Sequence, residues 1–550
     1  MASSLLISEP LASAPAAGCG VLALYERGHN TASPLPTGQP ARRQPVEPLS
    51  HASPFPLRPS ACPALSRIVA AHDGGLCRVK LSGGALRAEQ ALAVADVVDK
   101  HASGIVELTN RANLQLRGVR AGEETALVDA LLRAGLGPRL ADRSYDAATA
   151  SSECSEHAEH TARLAAADDV RNLMVSPSAG RDVHALHDTT ELAAQLLVLL
   201  QSEPRFAALS PKFALLVDGG ERLMELDHAH DIWLSAMDTA DAADDMPWFA
   251  FGLAGSPSTH AARALAAVTS AQVPALVCAL LDTFLALARP EDTRMRNLLA
   301  RHSTETVLRE VSTRLDFALR RDAPVRTWRR TQADATLRFG AHRQRHPGLW
   351  YVGGQPALGR LDATTLRALA ELAREHGNAT LHMTPWQSVL LPDVVEARVP
   401  AVLAGLRALG IVLEHEHPLA RLIACAGATG CVKSHADTKA DAWHLASRLP
   451  ADVHVHLSGC VRSCAASHCA PYTLLAVDTG RYDLYRREDS NEDGASDTIR
   501  ATNEINNEAT NKRDTGAAAE RRFGRRIALR VTLDEAADLL GVLDRSQPDA

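Results

Sequence analysis

Hydrophobic and polar residues follow one pattern that occurs twice along the chain. In the first copy, the pattern predicts strands and helices at 76–81 (β), 87–101 (α), 105–109 (β), 114–118 (β) and 123–134 (α). In the second copy, the corresponding elements fall at 349–352, 362–376, 379–383, 388–391 and 395–409. Both copies predict a β-α-β-β-α unit, and Thr109 and Thr384 occupy the same joint between two strands.

A second kind of module follows each unit. Strand-like runs with glycine-containing turns flank a helix in both places, at 172–180 and 211–220 in the first and at 421–431 and 452–460 in the second. The helix of the second module is expected at about 433–448. Because a β-α-β-β-α unit leaves its sheet unfinished, we expect the two copies to complete one shared sheet about a pseudo-two-fold axis. The predicted class is therefore a duplicated α/β (α+β) fold.

Composition predicts two disordered segments in addition to these modules. Residues 1–60 are rich in Pro, Ala and Ser and are predicted to be a disordered arm. A polar, asparagine-rich stretch at about 488–522 is predicted to be a disordered insertion. The folded units are predicted at 65–140, 165–335, 342–410 and 415–550.

The charge balance excludes two classes of partner. Among 550 residues, 58 are basic and 65 acidic, so the net charge is −7, which argues against nucleic acid or a membrane surface. The longest apolar run, 271–288, contains Asp282 and predicts a buried helix rather than a membrane span. No Lys or Arg precedes Arg27, so the start lacks the basic residues of a secretory signal, and we expect a cytoplasmic protein.

Five of the ten cysteines fall within 45 residues in the second module. Four of them form C-x5-C and C-x3-C pairs on turns after predicted strands, and we call them the cysteine quartet: Cys425, Cys431, Cys460 and Cys464. Thiolates on two loops can hold a [4Fe-4S] cluster. Structural zinc, which usually takes C-x2-4-C pairs, and unliganded core cysteines remain the alternatives. Cys469 could replace Cys464 in either kind of site.

Basic residues suggest a second site. Arg111 and Arg117 lie on one predicted hairpin, Arg171 precedes a strand and Lys212 opens another. Any one of them could be a solvated charge at a strand end, but together they predict an anion-binding pocket that faces the cysteine-bearing half. The chain has neither G-x-G-x-x-G after a strand nor G-x-x-x-x-G-K-[ST], so electrons are expected from a separate donor.

Histidines near the quartet have a simpler interpretation. His454 and His456 alternate along one strand before Cys460, which places them on the same face. Iron ligation is open to them, but packing or a surface role is the favoured prediction.

Several motifs in the expected order resemble the siroheme-dependent sulfite and nitrite reductase superfamily. They are TNRANLQLRG, TPWQSVLLP, DVRNLMVSPSAG, PKFALL and the spacing of the quartet. Within that superfamily, ACPALSRIVAAHDGGLCRVKL, ELTNRANLQLRG and PKFALLVDGG are most similar to the precorrin-3B synthase family. The resemblance implies two ferredoxin-like half domains and two α/β modules, one of which carries an iron-sulfur cluster.

That family hydroxylates precorrin-3A at C20 with O₂ and closes a γ-lactone, in aerobic cobalamin biosynthesis. The resemblance implies the quartet as cluster ligands, Arg111 and Lys212 as catalytic cations, and Arg117 and Arg171 at the cofactor. It also implies an additional iron centre, either non-haem iron or siroheme, and an external donor, either an NADH-linked reductase or ferredoxin.

Two positions depart from the reductase pattern. Sulfite reductases have a second lysine two residues after the first, and this chain has Ala214 there. Ser463 stands where a glycine is usual in G-C-x-x-G-C, which makes that loop less permissive. Three functions remain open: precorrin-3B synthase, siroheme-dependent sulfite or nitrite reductase, and a non-catalytic zinc-stabilised binding protein.

Overall fold

A computed structural model describes residues 62–138, 154–238, 247–257, 263–466, 470–487 and 519–545 except 521. The predicted arm at 1–60 and most of the predicted insertion at 488–522 lie outside the described residues, as does Cys469. Within the described ranges the chain forms four five-stranded sheets.

The first sheet belongs mainly to the first repeat. Its strands, in spatial order, are β1 (Val69–Ala71), β2 (Gly74–Val79), β5 (Leu114–Val119), β4 (Ile105–Leu108) and β13 (Arg360–Asp362). The last of these comes from the second repeat and pairs antiparallel with β4, with Arg360 opposite Glu107.

The second sheet has the reciprocal construction. Its strands are β11 (Gly340–Arg343), β12 (Leu349–Gly354), β15 (Val389–Val395), β14 (Thr380–Met383) and β3 (Ala85–Arg87). Here β3 comes from the first repeat and pairs with β14, with Ala85 opposite His382. The expected single shared sheet is therefore wrong: two sheets exist, and each is completed by a strand from the other copy.

Helices of both repeats pack into one core between these sheets. They are α1 (Ala88–His101), α2 (Glu124–Arg133), α9 (Ala363–His376) and α10 (Val399–Ala408). Each presents apolar residues at helical spacing, such as Val94 and Val98 on α1 and Leu366 and Leu369 on α9, all fully buried. The exchanged strands and the common core make the two half domains one folding unit.

The third sheet forms the module without the quartet. Its order is β10 (Ala266–Thr269), β9 (Trp248–Gly255), β8 (His230–Met237), β7 (Leu215–Asp218) and β6 (Leu173–Val175). Strands β6, β7 and β8 are parallel, and the other pairs are antiparallel. Its helices are α3 (Cys154–Asp169), α4 (Thr190–Ser202), α5 (Val273–Leu287), α6 (Met295–Leu299), α7 (Thr304–Ser312) and α8 (Ala323–Thr327).

The helix expected at 271–288 is α5. The run Ser270–Leu287 is long and apolar enough to cross a membrane by length and composition alone. Its residues Leu276, Leu280 and Phe284 are nevertheless buried in the core of this module. This packing confirms the prediction of a buried helix.

The fourth sheet repeats the third in the cysteine-bearing module. Its order is β16 (Leu422–Ala424), β17 (Val455–Ser458), β18 (Tyr472–Asp478), β19 (Arg481–Arg486) and β20 (Arg525–Val531). The first three are again parallel and the rest antiparallel. Its helices are α11 (Gly427–Gly430), α12 (Thr438–Ala446) and α13 (Leu533–Arg545).

The helix of this module begins later than the pattern predicts. The Asp437 side chain accepts a hydrogen bond from the backbone N–H of Ala440, which starts α12 at Thr438 rather than near 433. Residues 433–437 instead form a turn beside the cysteine loop, and the Ser434 hydroxyl donates to the Ala436 carbonyl.

Candidate functional site

The predicted basic hairpin is the turn between β4 and β5. Its Ala112 N–H donates to the Thr109 carbonyl at 3.1 Å, and the Asn113 N–H donates to the Thr109 hydroxyl at 3.0 Å. The turn between β14 and β15 has the same bonds, from Gln387 and Ser388 to Thr384. The pseudo-symmetry at this joint therefore extends to individual hydrogen bonds.

Arg111 gives the first turn a cation that the second turn lacks. The position equivalent to Arg111 in the second copy is Trp386, two residues after Thr384. The guanidinium of Arg111 forms no hydrogen bond or ion pair with any residue that the structure describes. Burial lowers its pKa to about 10, the positive charge of Arg294 acts in the same direction, and Asp231 opposes them. A desolvated cation without a close partner is suited to an anionic ligand.

Two further arginines join this position from different elements. Arg78 on β2 is electrostatically coupled to Arg111 and Cys464, and burial lowers its pKa. Its Nε atom is buried without a hydrogen-bond partner. Arg294, just before α6, is anchored by Asp231 at 2.8 Å. We call Arg78, Arg111 and Arg294 the arginine cluster, and it extends from the first half domain toward Cys464.

Sequence reasoning missed Arg78 and Arg294 because neither lies in a run of basic residues. The available signal was the spacing of Arg78 on β2 and Lys80 just after it, two residues apart in an extended run. Only the tertiary fold shows that Arg294, 183 positions beyond Arg111 (294 minus 111), belongs with them.

His230 at the start of β8 lies behind the cluster. Both of its ring nitrogens are buried without a hydrogen-bond partner. Burial, Arg111 and Arg294 together lower its pKa to about 3, so the imidazole is neutral at physiological pH.

The other two predicted cations have different surroundings. Arg171 pairs with Asp168 at 3.8 Å and donates to the Lys80 carbonyl, which ties the first module to β2. Lys212 is exposed ahead of β7, and its ammonium has no hydrogen bond or ion pair among the described residues. The structure thus places Arg171 in a protein contact and leaves Lys212 open to solvent, whereas Arg111 is electrostatically close to Arg78.

The cysteine quartet lies on two loops of the fourth sheet. Cys425 and Cys431 flank the short helix α11, and Cys460 and Cys464 follow β17. The Gly459 N–H donates to the Cys425 sulfur at 3.3 Å, so the two loops meet. A Cβ atom at Gly459 would overlap Ser434, which explains the need for glycine there.

The four thiols influence one another electrostatically. Burial is the main cause that raises the pKa of Cys460 to about 11, and Cys464, Cys425 and Cys431 act in the same direction. Burial also raises the pKa of Cys464, again with Cys425 and Cys431 in the same direction. Positive iron would relieve this repulsion between thiolates.

The donor set fits a cluster better than a single ion. Among the described residues, no three His, Cys, Asp or Glu side chains converge closely enough to hold one metal ion. A cubane spreads its four ligands over four iron atoms, so it requires wider spacing than tetrahedral zinc. All four quartet residues are free thiols, and they fit a [4Fe-4S] cluster.

Ser463 makes the loop between Cys460 and Cys464 strained. Its φ of 53° lies in the left-handed region, where glycine has no steric cost and serine does. Its hydroxyl donates to the Ala466 carbonyl, which helps to hold this conformation.

Arg117 binds the loop between Cys425 and Cys431 and is not exposed to an open pocket. It donates to Asp73 at 2.8 and 2.9 Å and to the Gly430 carbonyl at 2.6 Å. Its remaining contact is to Glu107 at 3.4 Å. The predicted role of Arg117 at a cofactor stays a prediction, since its observed contacts are all with protein groups.

His456 is buried in the fourth sheet, whereas His454, just before β17, is exposed. His456 therefore packs in the core and His454 lies at the surface, and both positions fit the predicted packing or surface role.

Two family models match this chain. The nitrite/sulfite reductase ferredoxin-like half domain matches residues 70–134 and 342–409, which are the two repeats. The nitrite and sulphite reductase 4Fe-4S domain matches residues 166–319, which is the module without the quartet. The quartet lies beyond the matched residues, in the pseudo-equivalent module.

Curated relatives include both reductases and a synthase. The ferredoxin–nitrite reductase of Zea mays is 29% identical over 74% of this chain and 70% of its own length. The precorrin-3B synthase of a Sinorhizobium species is 25% identical over 77% and 82%. The ferredoxin-dependent sulfite reductase of Mycobacterium tuberculosis is 25% identical over 71% and 67%.

Among solved structures, the Mycobacterium tuberculosis NirA protein has a similar fold. It superposes with a TM-score of 0.59 at 21% identity, over 82% of this chain and 85% of its own. These matches confirm the duplicated α/β fold with ferredoxin-like half domains. They also support a [4Fe-4S] cluster together with a siroheme-type centre.

Proposed function

Because the chain belongs to the nitrite and sulfite reductase superfamily, whose relatives are oxidoreductases, we propose that it is a precorrin-3B synthase. In this reaction one atom of O₂ enters precorrin-3A at C20, and the ring A acetate closes a γ-lactone. The other oxygen atom leaves as water, with two electrons and two protons supplied through an external donor.

The arginine cluster is the observation that carries this proposal. Precorrins have many carboxylates, and an arginine can hold each of them through two parallel hydrogen bonds. The guanidinium of Arg111 has no hydrogen bond or ion pair among the described residues, and Arg78 has a buried unpaired Nε. The precorrin-3B synthase relative also aligns over larger shares of both chains than the Zea mays reductase does.

Each residue has a distinct task in the proposed reaction. Arg111 and Arg78 bind and orient carboxylates of the substrate. The neighbouring His230 is neutral, so it adds no further positive charge beside the two arginines. Lys212, exposed ahead of β7, is proposed as a further cation for the substrate, and Arg171 donates to the Lys80 carbonyl just after β2. When bound, the cluster and a neighbouring iron centre supply one-electron transfer and oxygen activation.

Siroheme-dependent nitrite or sulfite reduction is the second candidate. The Zea mays and Mycobacterium tuberculosis relatives favour it by their names. Ala214 weighs against sulfite reduction, because it stands just before β7, where sulfite reductases have a second lysine. Its side chain is buried, and its N–H donates to Asp231 at 2.8 Å.

The electron donor is proposed to be ferredoxin, as the names of the reductase relatives state for those proteins. An NADH-linked reductase is the other class of donor. We propose a cytoplasmic location, where a reducing environment keeps the quartet reduced.

The decisive experiment compares the two reactions on the reconstituted protein. Aerobic incubation with precorrin-3A and a reducing system should add the mass of one oxygen atom to the tetrapyrrole. Anaerobic incubation with nitrite or sulfite and a reduced viologen should give little turnover. Rapid nitrite or sulfite reduction without conversion of precorrin-3A would favour the reductase, and a colourless, zinc-containing protein would exclude both.

A further inference from the structure

A buried network of charges lies directly behind the cysteine loop. The Glu107 carboxylate on β4 accepts hydrogen bonds from Arg360 at 2.7 Å and Arg117 at 3.4 Å, and Lys439 lies 3.8 Å away. These groups come from both repeats and from α12 of the cysteine-bearing module. Burial alone would raise the pKa of Glu107, but Lys439, Arg117 and Arg360 hold it at about 2.

Lys439 is the member of this network that contacts the carbonyl preceding Cys425, as Arg117 contacts the carbonyl preceding Cys431. Its ammonium donates to the Leu358 carbonyl at 2.8 Å and to the Ala424 carbonyl at 3.2 Å, next to Cys425. With Glu107 as the third neighbour, all three N–H groups of the ammonium face an acceptor. The preceding residue, Thr438, has its hydroxyl 3.3 Å from the Cys425 sulfur.

The network has an excess of positive charge. Arg117, Arg360 and Lys439 contribute three positive charges, and Glu107 and Asp73 contribute two negative ones, which leaves one positive charge. Lys439 and Glu107 are both buried, so water screens this charge poorly.

The pseudo-symmetric copy provides an internal comparison. In the sheet register, Arg360 lies opposite Glu107, whereas Ala85 lies opposite His382 at the equivalent place. Burial lowers the pKa of His382 to about 3, so that position is neutral. The ion pair thus occurs in the copy that contacts the quartet and is replaced by uncharged residues in the other.

We infer that Lys439, held by Glu107, sets the reduction potential of the [4Fe-4S] cluster. The cluster gains one electron from an external one-electron donor and becomes more negative by one charge, with no bond made or broken. A buried cation beside Cys425 stabilises this reduced form and raises the potential. The inference rests on the proposed cluster ligands. Lys439 acts through its charge on the cluster and does not touch the substrate, so it is not a catalytic residue.

The test is a potentiometric titration of the full chain, reconstituted with iron and sulfide, using dithionite as reductant. Lys439→Gln should lower the potential, Glu107→Gln should raise it, and the double variant should return toward wild type. Lys433→Gln is the matched control, because Lys433 is exposed and only two residues from Cys431, so solvent screens its charge.

Arg360→Gln provides a second test in case Lys439→Gln does not fold. Its guanidinium is 30% exposed, so the change is milder, yet it removes a positive charge from Glu107 and should also lower the potential. The inference would be overturned if Lys439→Gln and Arg360→Gln, with the cluster intact, shifted the potential no more than Lys433→Gln does. That result would leave the proposed cluster and the proposed function untouched. A wild-type protein that takes up no iron and sulfide would overturn the proposed cluster itself.

Discussion

Truncation of the Arg111 side chain should weaken substrate binding without destabilising the fold. In Arg111→Ala, the loss of a charge-assisted contact to a carboxylate should cost about 1.5–3 kcal/mol, or roughly 10- to 150-fold in affinity or rate. Arg111→Lys should restore only part of this, because an ammonium cannot form two parallel bonds with a carboxylate.

The same change should leave the protein at least as stable. Burial lowers the pKa of Arg111 to about 10, with the positive charges of Arg294 and Arg78 in the same direction. The fold therefore disfavours the charged form of this side chain. Removing the charge removes this cost, and no described hydrogen bond of the side chain is lost with it.

The assay measures precorrin-3A turnover and binding, the melting temperature, and iron and sulfide content for each variant. Arg133→Ala is the control, since Arg133 is an exposed arginine on α2 of the same half domain. Cluster content should be unchanged throughout. Wild-type turnover in Arg111→Ala would show that the substrate binds elsewhere, and a large fall in melting temperature would show that Arg111 is a structural residue.

Three further predictions follow from other parts of the chain. Serine at any one position of the cysteine quartet should remove the broad absorbance near roughly 400 nm, where thiolate-to-iron charge transfer occurs, whereas Cys469→Ser should keep it. Burial, and then Asp227, raise the pKa of Glu225 from 4.5 to about 8, so its protonated form stabilises the fold below about pH 4.5 and this contribution is lost as the pH rises through 8. Glu225→Gln should therefore reduce the loss of unfolding free energy between pH 5 and pH 9, and an unchanged pH profile would contradict the assignment. Deletion of residues 490–520, a polar stretch outside the described residues, should leave activity and melting temperature nearly unchanged.

The duplication could be predicted because it depends on local periodicity. Apolar residues at helical spacing in α1 and α9 and the shared Thr109 and Thr384 joints repeat at one offset along the chain. The exchange of β3 and β13 could not be predicted in this way. Each strand has three residues, too few for a periodic signal, and its partner lies in the other repeat.

The candidate site divides in the same way. The quartet was visible because its four cysteines are close in sequence, and the family model and the relatives support the cluster type. The surroundings of Arg117 were not visible, because a basic residue on a strand has the same appearance whether it faces a ligand or an ion pair. Arg78 and Arg294 join Arg111 only through tertiary packing, which no local pattern encodes.

The exchanged strands also impose an order on synthesis. The first sheet has its own strands once Val119 has been made, but its outer strand β13 ends at Asp362, 243 residues later (362 minus 119). At about 5–20 residues per second, β4 has no partner on that side for roughly 12–50 s. During this interval the edge of β4 is a pairing site for any extended segment, so the nascent chain needs shielding until the second repeat arrives.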